Sequence, residues 1–236
     1  MASASGSSRR LAADPLTIDA KDLNRALRAW VWPALKEHGF AERTDRVAWR
    51  YLGDDIDVVE LQAVGQHADV IGCPSLSLSV FVAAYPRFLP RTDRIPVRRG
   101  RLRPHYWHCD PFRRSMDKTI SQPWFRPFSE PVSWRMLPSF RLHRDALRKL
   151  VSRAVHDVPD IWYMRTDGSN LDENLRDMTA VILGAGLTLL DAWHDPRQVV
   201  ELIRTGTLLN ADSPHAHELI ETIEAYLAVS AGTAAG

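Results

Sequence analysis

The feature that most constrains the fold is a change of hydrophobic period at Gly39-Phe40. Upstream, Leu23, Ala26, Leu27, Trp30, Val31, Ala34 and Leu35 recur at three- and four-residue steps, which predicts one face of an amphipathic helix. Downstream, Val47, Trp49 and Tyr51 alternate with Arg46, Ala48 and Arg50, the period of a half-buried strand. Asp19 is placed to cap the helix, and Gly39 to end it in the left-handed conformation, with Phe40 packing back. Pro33 deletes one backbone donor and should kink or divide the last turn.

Turn chemistry at Gly53-Asp54-Asp55 leads into a second strand at 56–63, making a hairpin. After Gly72 and Pro74, Leu76, Leu78, Val80 and Val82 alternate with Ser75, Ser77, Ser79 and Phe81, a third strand with a partly exposed serine face. Residues 85–104 read as a proline-rich loop, followed by a short fourth strand over 105–109. Residues 111–159 hold further prolines with Trp124, Phe125, Phe128 and Trp134, too aromatic for a disordered linker, and read as an insertion wrapping the core. Within it, Leu142, Ala146, Leu147, Leu150, Val151, Ala154 and Val155 form a helical stripe.

A strand at 161–164 and a turn at Asp167-Gly168 precede a long helix capped by Ser169 or Asn170. Asp195-Pro196-Arg197-Gln198 is a helix start with Pro at the first position. Ser213-Pro214 opens a last helix, whose apolar face is Leu219, Ile220, Ile223, Tyr226 and Leu227. Strands in succession without helical crossovers define an α+β fold with an N-terminal helix, an antiparallel sheet of about four to five strands and a helical C-terminal third.

The 236 residues suit a single domain at 17–229, with a disordered tail at 1–16 and a flexible one at 230–236. Hydrophobic residues at 45% and charged residues at 25% exclude wholesale disorder. No run of about 18 apolar residues is present, which argues against a membrane helix. Met1 to Ala13 lacks the apolar core of a secretory signal, and Cys73 and Cys109 are too few for a disulfide framework. A reducing cytoplasm is the expected compartment, with no cofactor.

The helix ending Leu35-Lys36-Glu37-His38-Gly39-Phe40, then Val47-Ala48-Trp49-Arg50, Val58-Val59-Glu60-Leu61-Gln62 and the serine-rich strand follow one another in order. So do Trp162-Tyr163-Met164, a long helix and Leu189-Leu190-Asp191. In this order, across about residues 17–205, the chain resembles a bacterial family known only as domain of unknown function 4304. The resemblance implies a mixed α+β domain and carries no catalytic residues. Residues 111–159 depart from the compact family pattern.

Two segments concentrate chemistry. Thirty basic residues include only four lysines, a bias typical of GC-rich coding. From Arg87 to Arg103 the chain holds Arg87, Arg91, Arg94, Arg98, Arg99, Arg101 and Arg103 against a single acid, Asp93. Such a run suits a solvated loop, an acidic protein surface, or the phosphates of a nucleic acid, in that order. Next to it, a strand at 105–109 would put His105, Trp107 and Cys109 on one face and Tyr106, His108 and Asp110 on the other, with Asp110 available to orient His108. Arg94, Arg98, Arg99, Arg101, Arg103, His105, Trp107, His108 and Asp110 are therefore the candidate binding residues.

Elsewhere the motifs fail on geometry. His215 and His217 lie two apart at a helix start and diverge by about 200°. Gly184-Ala185-Gly186 lies inside a helix, and the serines have no adjacent base. Asp167-Gly168-Ser169-Asn170 lacks calcium-loop spacing, and Asp55 and Asp57 share a face with nothing to complete a cage. No catalytic or metal-binding constellation emerges. The expected function is non-catalytic binding or interaction, with an acidic protein as partner, in a regulatory or toxin-neutralising role. An enzyme acting on an anionic small molecule and a nucleic-acid binder are the alternatives, and no membrane partner is expected.

Overall fold

The computed structural model describes residues 17–65, 68, 72–90, 94–125 and 155–233. The first helix, α1 (Ala20–Ala29), starts where expected: the Asp19 carboxylate accepts from the backbone N–H of Lys21 and Asp22 at 2.7 and 2.9 Å, and Asp22 reaches back to the Asp19 N–H at 3.2 Å. Pro33 divides rather than kinks it. Its missing N–H would have bonded the carbonyl of Ala29, and α1 ends there; a second helix, α2 (Val31–Glu37), follows after Trp30. The break rotates the second segment, so Trp30 is exposed and Trp32, outside the expected stripe, enters the core. Gly39 adopts φ 90°, and Phe40 folds back, its N–H donating to Leu35 O at 3.2 Å.

Five antiparallel strands form the sheet: β1 (Glu42–Arg43), β2 (Val47–Leu52), β3 (Asp55–Ala63), β4 (Leu78–Tyr85) and, across the short strands β5 (Val97–Arg98) and β6 (Arg101–Leu102), β7 (Arg113–Ser115), in the order β1-β2-β3-β4-β7. The two-residue turn Gly53-Asp54 sets the β2–β3 register, pairing Leu52 with Asp55, Arg50 with Asp57 and Val47 with Glu60. One face, with Ala48, Val59, Leu61, Val80, Val82 and Ala84, packs on the helices. The other, with Val47, Trp49, Ile56, Val58, Ala83 and Tyr85, is covered by Ile95 and Cys109 of the chain that follows β4.

Burial of both faces corrects the half-buried strands read from the alternation, because polar residues on either face must find partners inside. Ser77 is fully buried just before β4 and accepts the Met164 N–H at 3.0 Å; of the supposed serine face, only Ser75 is exposed.

The strand expected at 105–109 is instead a 3₁₀ turn, Tyr106–His108. It is closed by His108 N–H to His105 O at 2.9 Å and Cys109 N–H to Tyr106 O at 3.1 Å. The sheet position beside β4 is taken by β7, which pairs Ala83 with Arg113 and Phe81 with Ser115. The loop read over 85–104 contains a two-stranded hairpin, β5–β6, turning at Arg99-Gly100.

Beyond the sheet, Trp124 is buried, and β8 (Trp124–Phe125) pairs with β9 (Val155–His156), which takes Val155 out of the proposed helical stripe. The rest of that stripe, together with Phe128, Trp134, Arg91, Asp93 and residues 1–16 and 234–236, lies outside the described residues. The strand expected at 161–164 reduces to a single bridge, Leu78 to Trp162. The long helix is α3 (Leu171–Val181), a π-helical segment Ile182–Gly186 and α4 (Leu187–His194). Asn170 precedes α3 without capping it, because its amide is already engaged: Oδ1 accepts from Arg165 N–H at 2.9 Å and Nδ2 donates to Tyr163 O at 2.7 Å. Asp195 caps α5 (Pro196–Arg204) with Pro196 at the first position. The last helix, α6 (Pro214–Thr233), continues past Ser230, where the tail was expected to begin. No helix among the described residues is long and apolar enough to cross a membrane.

Candidate binding face

Arg94 is exposed just before the buried Ile95, which anchors the run of arginines against the second face of the sheet. From there the hairpin and the 3₁₀ turn lie across β2 to β4. Tyr51 Oη donates to Leu102 O at 3.0 Å, and Trp49 Nε1 donates to Pro104 O at 2.7 Å. Those bonds hold two arginines over two rings: the Arg101 guanidinium is 5.0 Å from the Tyr51 centroid and that of Arg103 is 5.1 Å from Trp49. Both guanidiniums also grip one carboxylate, Glu42, at 3.0 and 2.5 Å. Each stacked guanidinium contributes about 0.5–2 kcal/mol depending on desolvation. Arg87 lies 3.7 Å from the buried Asp55, whose carboxylate also accepts the Arg87 N–H at 2.6 Å.

Arg87, Arg101 and Arg103 of the arginine run are thus paired with carboxylates of the fold, and further exposed guanidiniums lie at the hairpin tip. There Arg98 and Arg99 are exposed and make no ion pair among the described residues, and Val97 beside them is 65% exposed. Tyr51, Gly53, Asp54, Ile56, Arg101 and Leu102 line an open cleft of about 270 Å³ at the base of the hairpin.

His105 continues the row of rings. Its imidazole meets Trp49 edge-on at 6.4 Å and stacks on Trp107 at 4.3 Å with only 4° between the planes. Its Nδ1 is 3.0 Å from the carboxylate of Glu60, a buried residue on the same face of β3. Tyr106 stacks on Phe81 of β4 at 4.2 Å, and the Arg113 guanidinium is 5.6 Å from its centroid. Trp107 remains 48% exposed. The imidazole held by a carboxylate is therefore His105, with Glu60 as its partner, and the expected His108–Asp110 pair does not form. Asp110 is exposed and faces Arg113 at 3.6 Å, while His108 Nδ1 accepts the backbone N–H of His105 at 2.9 Å. Burial, then the neighbouring His105, holds His108 below the ordinary histidine range.

Cys109, packed beneath the turn, is fully buried. Its thiol donates to His105 O at 3.5 Å and is pushed far up, by burial first and then by the charges of Asp57 and Glu60, so it is no nucleophile.

The opposite face holds a polar cluster that alternation alone did not reveal. Asp57, wholly inaccessible at the centre of β3, accepts from Arg50 Nε at 2.6 Å and from His194 Nε2 at 2.7 Å, and Arg50 reaches Asp191 at 3.0 Å. The sequence signal for it was two acids, Asp55 and Asp57, on one face of a largely apolar strand; Arg50 is the cross-strand neighbour of Asp57, whereas Asp191 and His194 come from α4, too far along the chain to be read locally. Among the described residues no group of three or more His, Cys, Asp or Glu is placed to hold a metal. His215 and His217 are exposed in the first turn of α6, and Gly184 and Gly186 lie in the π-helical segment, where Gly186 backs onto Val82.

No family model, curated protein or solved structure matches the chain.

Proposed function

We propose that this chain is a non-catalytic binding protein that presents the β5–β6 hairpin to an acidic surface of another protein, as a regulatory or neutralising factor. The observation that carries this reading is the hairpin tip: two adjacent exposed arginines without a carboxylate partner among the described residues, flanked by exposed Val97. Arg87, Arg101 and Arg103 of the same run are already paired with Asp55 and Glu42, whereas the two at the tip are available to a partner. Guanidinium is weakly hydrated and grips carboxylates through two parallel bonds, so it leaves water for an acidic partner at lower cost than ammonium. The apolar neighbour supplies the desolvated contact that arginines at interfaces use. The working compartment is a reducing cytoplasm, supported by two free, buried cysteines. Membership of the family resembled in the sequence belongs to the same proposal.

The test compares the immobilised chain with an R98E/R99E double variant for capture of cytosolic proteins. The expected result is an acidic protein held by the wild type, released by salt and lost on charge reversal. Equal capture by both forms overturns the reading. Retention of nucleic acid in a low-salt gel shift, lost in the same variant, replaces it with nucleic-acid binding.

A further inference from the structure

His105 and His108 are fixed by their inner partners as opposite hydrogen-bonding groups. The His105 N–H can only donate, so His108 Nδ1, 2.9 Å away, must accept, and the ring proton of neutral His108 sits on Nε2. His105 Nδ1 faces the Glu60 carboxylate at 3.0 Å and carries the proton, leaving the lone pair of neutral His105 on Nε2. In an imidazole the two nitrogens point to well-separated directions, so each Nε2 is turned away from its inner partner. Neither Nε2 has a partner among the described residues, both rings are half-buried, and their centroids are 6.0 Å apart. Between them in sequence, Trp107 touches both, 4.3 Å from His105 and 5.5 Å from His108, and leaves about half its surface to solvent.

We propose that His105 and His108 form a ligand site that reads a donor–acceptor edge, the N–H and C=O of a planar aromatic carboxamide, with Trp107 as the apolar wall against which its ring lies. The ligand N–H donates to His105 Nε2, and the ligand C=O accepts from His108 Nε2–H. A carboxylate of the same shape is disfavoured, because one of its oxygens would face the His105 lone pair. Burial and the neighbouring His105 disfavour protonation of His108, which preserves its Nδ1 as the acceptor for the His105 backbone N–H. The site is independent of Arg98 and Arg99, so the acidic-partner reading and this one fail separately.

Benzamide and benzoate, which differ in the NH₂ against O⁻ at one edge, are the probes. Titrated into the ¹⁵N-labelled chain at pH 8, benzamide is expected to shift the Trp107 indole signal and to bind at least about tenfold tighter than benzoate. Asparagine mimics the Nδ1 side of histidine alone, so H105N keeps the bond to Glu60 and H108N keeps the acceptor for the His105 N–H, while each removes the outward group. Each is expected to weaken benzamide by about tenfold with folding intact, and R98A/R99A to leave it unchanged. In the free chain, long-range ¹⁵N correlations should show the proton on Nδ1 of His105 and Nε2 of His108. Benzoate binding as well as benzamide, no benzamide shift at Trp107 up to the solubility limit, reversed tautomers, or asparagine variants that bind like wild type would each overturn the proposal.

Discussion

Asp57 shows why single residues in this sheet carry unusual weight. A carboxylate with no access to water costs several kcal/mol to bury unless its charge is met, and here Arg50 and His194 meet it from β2 and α4. His194 is the last residue of α4, where the helix dipole favours positive charge. Burial alone would lower its pKa; the hydrogen bond to Asp57, then the charges of Asp57 and Asp55, outweigh burial and the opposing Arg50, and hold it above the ordinary value of about 6.5. Because the folded pKa is the higher one, the contribution of the imidazolium is fully present below about pH 6.5 and is lost as pH rises through the raised value. Denaturation midpoints followed from about pH 5.5 to about pH 9 should therefore fall more for wild type than for H194Q; parallel profiles would contradict the assignment. Arg50 follows from the β2–β3 register, but His194 was not legible in the sequence. Asp57 and His194 are 137 residues apart, and no local pattern links them.

At the scale of elements, the β5–β6 hairpin carries a local conflict. Arg99 and Gly100 both adopt positive φ, 53° and 75°, the combination that suits a type I′ turn and normally draws Asn-Gly. An L-residue other than Gly or Asn held there costs roughly 1–2 kcal/mol. R99N should raise stability by about 0.5–1 kcal/mol in urea unfolding while weakening capture of an acidic partner. A variant no more stable than wild type would mean that the turn is unstrained. That opposition of stability and binding is what a functional tip predicts and a purely structural turn does not. Elements whose signals are local were legible: the capped α1, the β2–β3 hairpin and the Asp195-Pro196 helix start. Elements defined by distant pairing were not. Arg113-Arg114-Ser115 has no strand pattern of its own and is β7 only because β4 offers an open edge, while 105–109 alternates like a strand but closes on itself through bonds three residues apart.

For the whole molecule, Cys109 reports on how the second face is sealed. It lies fully buried between the 3₁₀ turn and the sheet, with its thiol pushed up by burial and nearby carboxylates. In a C73S variant, Cys109 should resist a disulfide reagent in native buffer and become labelled at a rate that follows global unfolding as denaturant rises. Labelling in native buffer at a rate indifferent to denaturant would show instead that the turn carrying His105 and His108 opens on its own.

By itself the sequence determined the class of fold, because the change from a 3.6-residue to a two-residue period, the caps and the turns are properties of neighbouring residues. It also singled out the arginine run and the His105–Asp110 segment as places to look. Only the tertiary structure decided what those residues do. Charge and hydrogen bonding act through space: Glu42 takes Arg101 and Arg103, Glu60 takes His105, and Asp110 turns to Arg113 instead of His108. Which arginines and which ring nitrogens are left facing solvent follows from those pairings across the sheet, and no reading along the chain contains them.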